Sequence, residues 1–228
     1  MRVVRLAGIC DTLASFVSGQ TVYIAGDSVF LYSGWGQYLG ECLTIPTIPT
    51  IPTIPVVNLA IAGRSARSYT EEGHFNTLIN TVDSGDYAII EFGHNDGYPG
   101  VTDNGRQSAS GSDYSATSTI EPRGDIPIVS SQTPNNQWTG DKIKGAPRFV
   151  EYARLAGSNA NVTDVNHFGY TSSKYESLGE STVSTYFPSD HTHIARRSHG
   201  RRPGLRAGPR MIGPAADELI GKTDRYCL

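Results

Sequence analysis

Short apolar runs alternate with amphipathic stretches along much of this chain, and the first three runs empty into glycine and a small polar residue. Thr21-Val22-Tyr23-Ile24-Ala25 ends at Gly26-Asp27-Ser28, Val56 to Ala62 ends at Gly63, and Tyr87 to Phe92 ends at Gly93-His94-Asn95-Asp96. β-Branched and aliphatic runs closed by glycine predict buried strands. A fourth strand is expected over Ile126–Ser130, before the polar loop SQTPNN, and a weaker fifth around Val162–Val165. Between the strands, Gly34–Leu39 opens a helix, and Thr70–Val82 fits one with Phe75, Leu78, Ile79 and Val82 on a single face. Further helices are expected near Arg148–Leu155 and Gly169–Leu178.

Strand and helix in alternation require right-handed crossovers, so the expected fold is α/β, a parallel sheet covered by helices on both faces. Chemistry in such sheets gathers where the strands end. Three strands here end in GDS, AGRS and GHND.

Two regions break the order. Thr44 to Pro55 is TIP four times over; proline at every third position removes backbone donors, so the segment reads as an extended loop insertion. Residues 97–125 join the third strand to the fourth with only Tyr98, Val101, Tyr114 and Ile120 as bulky apolar residues. A parallel crossover should carry a helix. None is legible there, which predicts an irregular linker and a poorly covered face on strands three and four.

The strand ends hold the parts of an acyl-transfer site. Ser28 would attack, His193 would take its proton, and Asp190 would orient the imidazole through its other nitrogen. The N–H groups of Ser28 and Gly63 and the amide of Asn95 would receive the oxyanion. His94 and His191 are alternatives to His193, and His94 could instead be a donor to substrate. Asp27 is expected to brace its turn. Arg64 and Arg67 could meet acidic groups on a substrate, or simply pair with acidic neighbours. His191 and His193 have no carboxylate or cysteine cluster at ligand spacing, so metal catalysis is not expected.

These blocks resemble the SGNH (GDSL-type) hydrolases: GDS at 26–28, the glycine at 63, G-x-N-D at 93–96 and D-x-x-H at 190–193. The longer stretches TVYIAGDS, VVNLAIAGRSARSY, GDYAIIEFGHNDG, SSQTPNNQW, RFVEYARLA and YFPSDHTH are similar to fungal rhamnogalacturonan acetylesterases. The resemblance runs from about Thr21 to His193, with gaps. It implies a flavodoxin-like three-layer α/β/α fold and removal of acetyl groups from the pectin rhamnogalacturonan backbone, without a cofactor. It carries Ser28, Asp190 and His193 across as the triad, and Ser28, Gly63 and Asn95 as the oxyanion hole. It also implies that this chain lacks one crossover helix and the C-terminal helix. Two other functional readings stay open: an inactive truncated hydrolase, and a broader esterase acting on acetyl-xylan or small acyl esters.

Charge sharpens the domain boundaries. Residues 1–195 carry 11 Lys+Arg against 19 Asp+Glu, whereas residues 196–228 carry 8 against 3. That basic end has no aromatic residue before Tyr226, so it reads as a solvated tail foreign to the family rather than a nucleic-acid contact. The hydrolase domain is therefore expected over 21–195, with the loop insertion at 44–55 and the linker at 97–125. Residues 1–20 start basic and turn apolar before Asp11 interrupts them, as in a degraded export signal. Cys10, Cys42 and Cys227 cannot all pair within one chain, and Asn161-Val162-Thr163 is a glycosylation pattern that matters only on export. The expectation is a secreted monomer acting on an acetylated pectic polysaccharide, with no nucleic-acid or membrane partner.

Overall fold

The computed structural model describes residues 19–31, 34–39, 54–97, 104–107 and 124–194. The TIP repeat up to Thr53, the three cysteines, most of the 97–125 linker and residues 195–228 lie outside them, as do the expectations that fall there. Strands β1 (Val22–Gly26), β2 (Val56–Asn58), β3 (Tyr87–Phe92), β4 (Ile126–Ser131) and β7 (Thr163–Val165) form one parallel sheet in the order β2-β1-β3-β4-β7. Trp138–Thr139 (β5) and Lys142–Ile143 (β6) form a small hairpin outside it. The helices are α1 (Ala66–Glu71), α2 (His74–Thr81), α3 (Arg148–Ala160), α4 (His167–Leu178) and α5 (Glu180–Ser184).

Alternate residues of the central strands feed two cores, because side chains along a strand point to opposite faces. Val22, Ile24, Tyr87, Ile89 and Ile128 pack with Val29, Phe30 and Leu39 on one face. Tyr23, Ala25, Ala88 and Phe92 pack with Tyr69 of α1 and Leu78 of α2 on the other. Strands buried on both faces need apolar residues at nearly every position, which is why β1 and β3 read as continuous runs.

The strand order reverses direction between β1 and β3, since the chain leaves β1 for β2 and then returns past it to β3. The crevice above that point is where ligands bind in open parallel sheets. Ser28 follows β1 and Asn95 follows β3. The path of β2 also continues beyond its last ladder residue: Leu59 N–H donates to the Ile24 carbonyl and Ile61 N–H to that of Gly26, both at 2.9 Å. That extension delivers Gly63 to the same crevice.

Several expectations change. The helix expected over Thr70–Val82 is two helices, because Gly73 adopts a left-handed φ of 78° that ends the first and starts the second. The break re-phases the apolar face, leaving Leu78 buried and Ile79 46% exposed. Helices α3 and α4 extend beyond Arg148–Leu155 and Gly169–Leu178, while α5 and the hairpin had no signal in the pattern. The poorly covered face is not bare at Val129 or Phe92, which are 5% and 9% exposed. Helix α3 packs on β4 and β7, and Phe92 meets the rings of Tyr69 and Phe75 at 5.1 and 5.9 Å. No described helix is long and apolar enough to cross a membrane.

Candidate active site

Ser28 sits where β1 stops abruptly. The buried Asp27 carboxylate accepts the Val29 N–H at 3.0 Å and starts a 3-10 turn over Ser28–Phe30, which turns the serine out of the strand. Phe30 folds back under that turn, so a Cβ on Gly26 would overlap its ring and lie 2.8 Å from the Glu91 carbonyl oxygen. Only glycine fits there.

Two short hydrogen bonds connect three side chains. His193 Nε2 lies 2.7 Å from Ser28 Oγ, and His193 Nδ1 lies 2.7 Å from Asp190 Oδ2. A carboxylate can only accept, so Nδ1 carries the proton and the Nε2 lone pair faces the serine hydroxyl. The other Asp190 oxygen accepts the backbone N–H groups of Thr192 (2.7 Å) and His193 (2.6 Å). Partial burial alone would raise the Asp190 pKa. The hydrogen bonds from the His193 N–H, its imidazole and the Thr192 N–H outweigh that effect and hold the carboxyl at about 2. It is a permanent acceptor at any ordinary pH.

The loop after β4 fixes this segment from the side. Asn136 N–H donates to the His191 carbonyl at 2.7 Å, and Thr192 Oγ1 donates to Asn135 Oδ1 at 2.9 Å. Trp138 Nε1 in turn donates to Asn136 Oδ1 at 2.7 Å. In the sequence these asparagines read only as part of a polar loop. Their job depends on a partner 55 residues or more away along the chain, which no local pattern reveals. Glu91 was missed for a similar reason, since it sits inside an apolar run. It is 1% exposed and bonds Ser130 Oγ, His167 Nδ1 and Trp35 Nε1 beneath the site, at 2.5, 2.9 and 3.4 Å.

Asn95 gathers the remaining parts. Its side-chain amide donates to Asp27 Oδ2 at 3.3 Å and to the Arg64 carbonyl at 3.2 Å, so it stands between the neighbours of Ser28 and of Gly63. Gly63 has φ 73°, a left-handed conformation that β-carbon-bearing residues avoid. Neither the Ser28 nor the Gly63 N–H has an acceptor among the described residues. Through Asn95, the residue before Ser28 and the residue after Gly63 are tied to a single amide.

The other candidates are placed differently. His94 is wedged between Thr133 Oγ1 (3.2 Å) and Gln132 Nε2 (3.4 Å), and burial pushes its pKa down to about 4, so it is neutral and already engaged. His191 is exposed and contributes its carbonyl. Arg64 pairs with Glu72 and Arg67 with Glu71, each at 2.8 Å. Among the described residues, no group of three or more His, Cys, Asp or Glu could hold a metal ion.

Asp27 carries a cost that can be measured. Burial, with Glu91 and Asp96 nearby, raises its pKa from 3.8 to about 7, against the hydrogen bonds from Val29 and Asn95. A raised carboxyl pKa favours the folded state only while the group is protonated. Stability is therefore lost as pH climbs from about 4 through about 7, by about 4 kcal/mol at ~1.36 kcal/mol per pKa unit. Asp27→Asn is expected to raise Tm at pH 8 by roughly 8–16 °C, with the gain vanishing near pH 4. It should also lower kcat roughly ten- to hundredfold, because Asn95 loses its anionic anchor. Thermal melts and acetate-release rates of both proteins across that pH range check the opposed signs.

Residues 22–200 match the family of GDSL-like lipases and acylhydrolases. The chain belongs to that family. It is an ester hydrolase of the SGNH type. It is 39% identical to the rhamnogalacturonan acetylesterase of Emericella nidulans, an alignment covering 90% of this chain and 91% of that one. A shorter match, 34% identical over 33% of this chain and 35% of the relative, is to the probable rhamnogalacturonan acetylesterase YesY of Bacillus subtilis. Among solved structures, protein YxiM of Bacillus subtilis superposes with a TM-score of 0.60 at 18% identity, covering 78% of this chain and 52% of that one. That last likeness establishes the shared three-layer α/β/α architecture of the GDSL-type fold.

Proposed function

We propose that this GDSL-type hydrolase removes acetyl groups from the rhamnogalacturonan backbone of pectin, outside the cell, through an acetyl-enzyme on Ser28. The reading rests on one observation: a serine–imidazole–carboxylate relay at 2.7 and 2.7 Å, in a chain similar along nearly its whole length to a rhamnogalacturonan acetylesterase.

The residues divide the work as follows. His193 Nε2 takes the Ser28 proton as Oγ bonds to the acetyl carbon, and the carbonyl electron pair moves onto oxygen. The N–H groups of Ser28 and Gly63 receive that oxyanion, joined by Asn95 once its amide turns from Asp27 and Arg64. Such donors act strongly because they are set in place before charge develops. Asp190 stabilises the imidazolium through Nδ1. The proton on Nε2 then passes to the sugar oxygen as the C–O bond breaks, releasing the alcohol and leaving acetyl on Ser28. Water, deprotonated by His193, attacks that ester; acetate leaves and the proton returns to Oγ.

Acetate release from acetylated rhamnogalacturonan, compared with acetylated xylan at equal acetyl content, tests the substrate. The expected result is a kcat/KM at least about tenfold higher on rhamnogalacturonan, a difference of about 1.4 kcal/mol in transition-state binding. Equal rates would replace this reading with a general carbohydrate esterase.

A further inference from the structure

The two arginines beside Gly63 in sequence are occupied by Glu72 and Glu71. A third lies against Gly63 in space. A methyl group built on Gly63 would stand 3.6 Å from Arg106 Nη2 and 3.9 Å from its Cζ. Arg106 is exposed, and it makes no ion pair with any described residue. Its segment is tied down locally: its own N–H donates to Asn104 Oδ1 at 3.0 Å, and Gln107 O accepts from Arg67 Nη1 at 3.4 Å. Arg67 thus holds the Arg106 segment against the start of α1 while pairing with Glu71.

We infer that Arg106 is a specificity residue that binds a uronate carboxylate of the polysaccharide next to the acetyl group being cleaved. The inference rests on the proposed pectic substrate, whose backbone alternates an acidic sugar with a neutral one. Its physical basis is a mismatch of charge. Residues 1–195 carry 11 basic against 19 acidic side chains, so the body of the protein repels a polyuronate. Affinity must come from a local cation near the reacting ester. Gly63 supplies one of the proposed oxyanion donors, so a guanidinium beside it lies within one sugar residue of the scissile bond. A planar guanidinium without a partner among the described residues offers its donors to a carboxylate, in the two-pronged geometry that lysine lacks. Because Arg106 is exposed, the pair is worth the modest amount of a solvated ion pair, and it falls with salt.

The test compares Arg106→Gln with wild type on acetylated rhamnogalacturonan and on para-nitrophenyl acetate, at low and high salt. The expected result is a roughly three- to tenfold rise in KM on the polymer at low salt. Wild-type KM should climb toward the variant's as salt is added, and rates on the neutral ester should match within about twofold. Arg154→Gln, which removes an arginine paired with Glu151 on α3, serves as the comparison and should leave polymer KM within about twofold of wild type. An Arg106→Gln polymer KM unchanged at low salt overturns the inference, and so does an equal loss on both esters, which marks a structural role. If wild type releases acetate from xylan and none from rhamnogalacturonan, the substrate reading fails first and this inference falls with it. If wild type acts on the pectic polymer and Arg106→Gln acts identically, only the inference fails.

Discussion

Ser28→Ala is expected to lower kcat for acetyl-ester hydrolysis by roughly 10⁵- to 10⁶-fold, with KM little changed. The expectation follows from what the hydroxyl does in this geometry. It is the atom that Nε2 of His193 faces at 2.7 Å, and no other described hydroxyl is hydrogen-bonded to that nitrogen. Removing it leaves an intact base and intact donors, able only to position water. Those remnants retain roughly 10³- to 10⁴-fold acceleration over solution. The lost portion corresponds to about 7–8 kcal/mol of barrier at ~1.36 kcal/mol per tenfold. Folding should be nearly unaffected, because Ser28 is only half-buried and the turn is begun by Asp27 rather than by the serine side chain. Acetate release together with a melting curve separates loss of chemistry from loss of structure.

Asp190→Asn is expected to cost roughly 10³- to 10⁴-fold in kcat, although the substitution changes almost no volume. Asp190 Oδ1 accepts two backbone N–H groups, from Thr192 and His193. An asparagine must keep its single oxygen on those donors, which turns its NH₂ toward His193 Nδ1. That nitrogen then becomes the acceptor, and the ring proton moves to Nε2, where the Ser28 proton should go. The imidazole is in place but in the wrong tautomer. In wild type this cannot happen through pH, since the carboxyl is held at about 2 and stays ionised. KM should be nearly unchanged, which distinguishes a tautomer fault from a displaced loop.

The parts of this site that sequence could reveal are those set by local pattern. The strands were legible because β1 and β3 are buried on both faces and so read as unbroken apolar runs. GDS and GHND stood out because glycine is required where Phe30 and Gln132 crowd the backbone beside Gly26 and Gly93. The convergence of Ser28 with His193 followed from strand-end chemistry, 165 residues apart. What stayed hidden depends on tertiary partners. Asn135 and Asn136 matter because of His191 and Thr192. Glu91 lies within the apolar run of the third strand, where no local signal marks its buried polar network with Trp35, Ser130 and His167. Gly73 could have been an interior helix glycine, and only its φ of 78° shows a break. The pairing of Arg67 with Glu71 was legible, being an i,i+4 pair within α1. Arg106 was not, because the segment around it carries no periodic signal and its position is set by contact with Gly63 and Arg67.

Buried acidity is the cost of this architecture. Asp27 holds Asn95 and the nucleophile's turn with one carboxylate, and its burial, with Glu91 and Asp96 nearby, raises its pKa. Functional sites often sit at such destabilised points, where stabilising substitutions reduce activity. The opposed effects expected for Asp27→Asn are an instance.

The account depends most on a covalent bond between the acetyl group and Ser28. Acid quenching of the intact enzyme during turnover of an activated acetyl ester, followed by peptide mapping, measures it directly. Acetyl should appear on the peptide containing Ser28, at that residue alone, and should be absent from Ser28→Ala. Acetate release without any acetylated Ser28, or with the label on another residue, would contradict it.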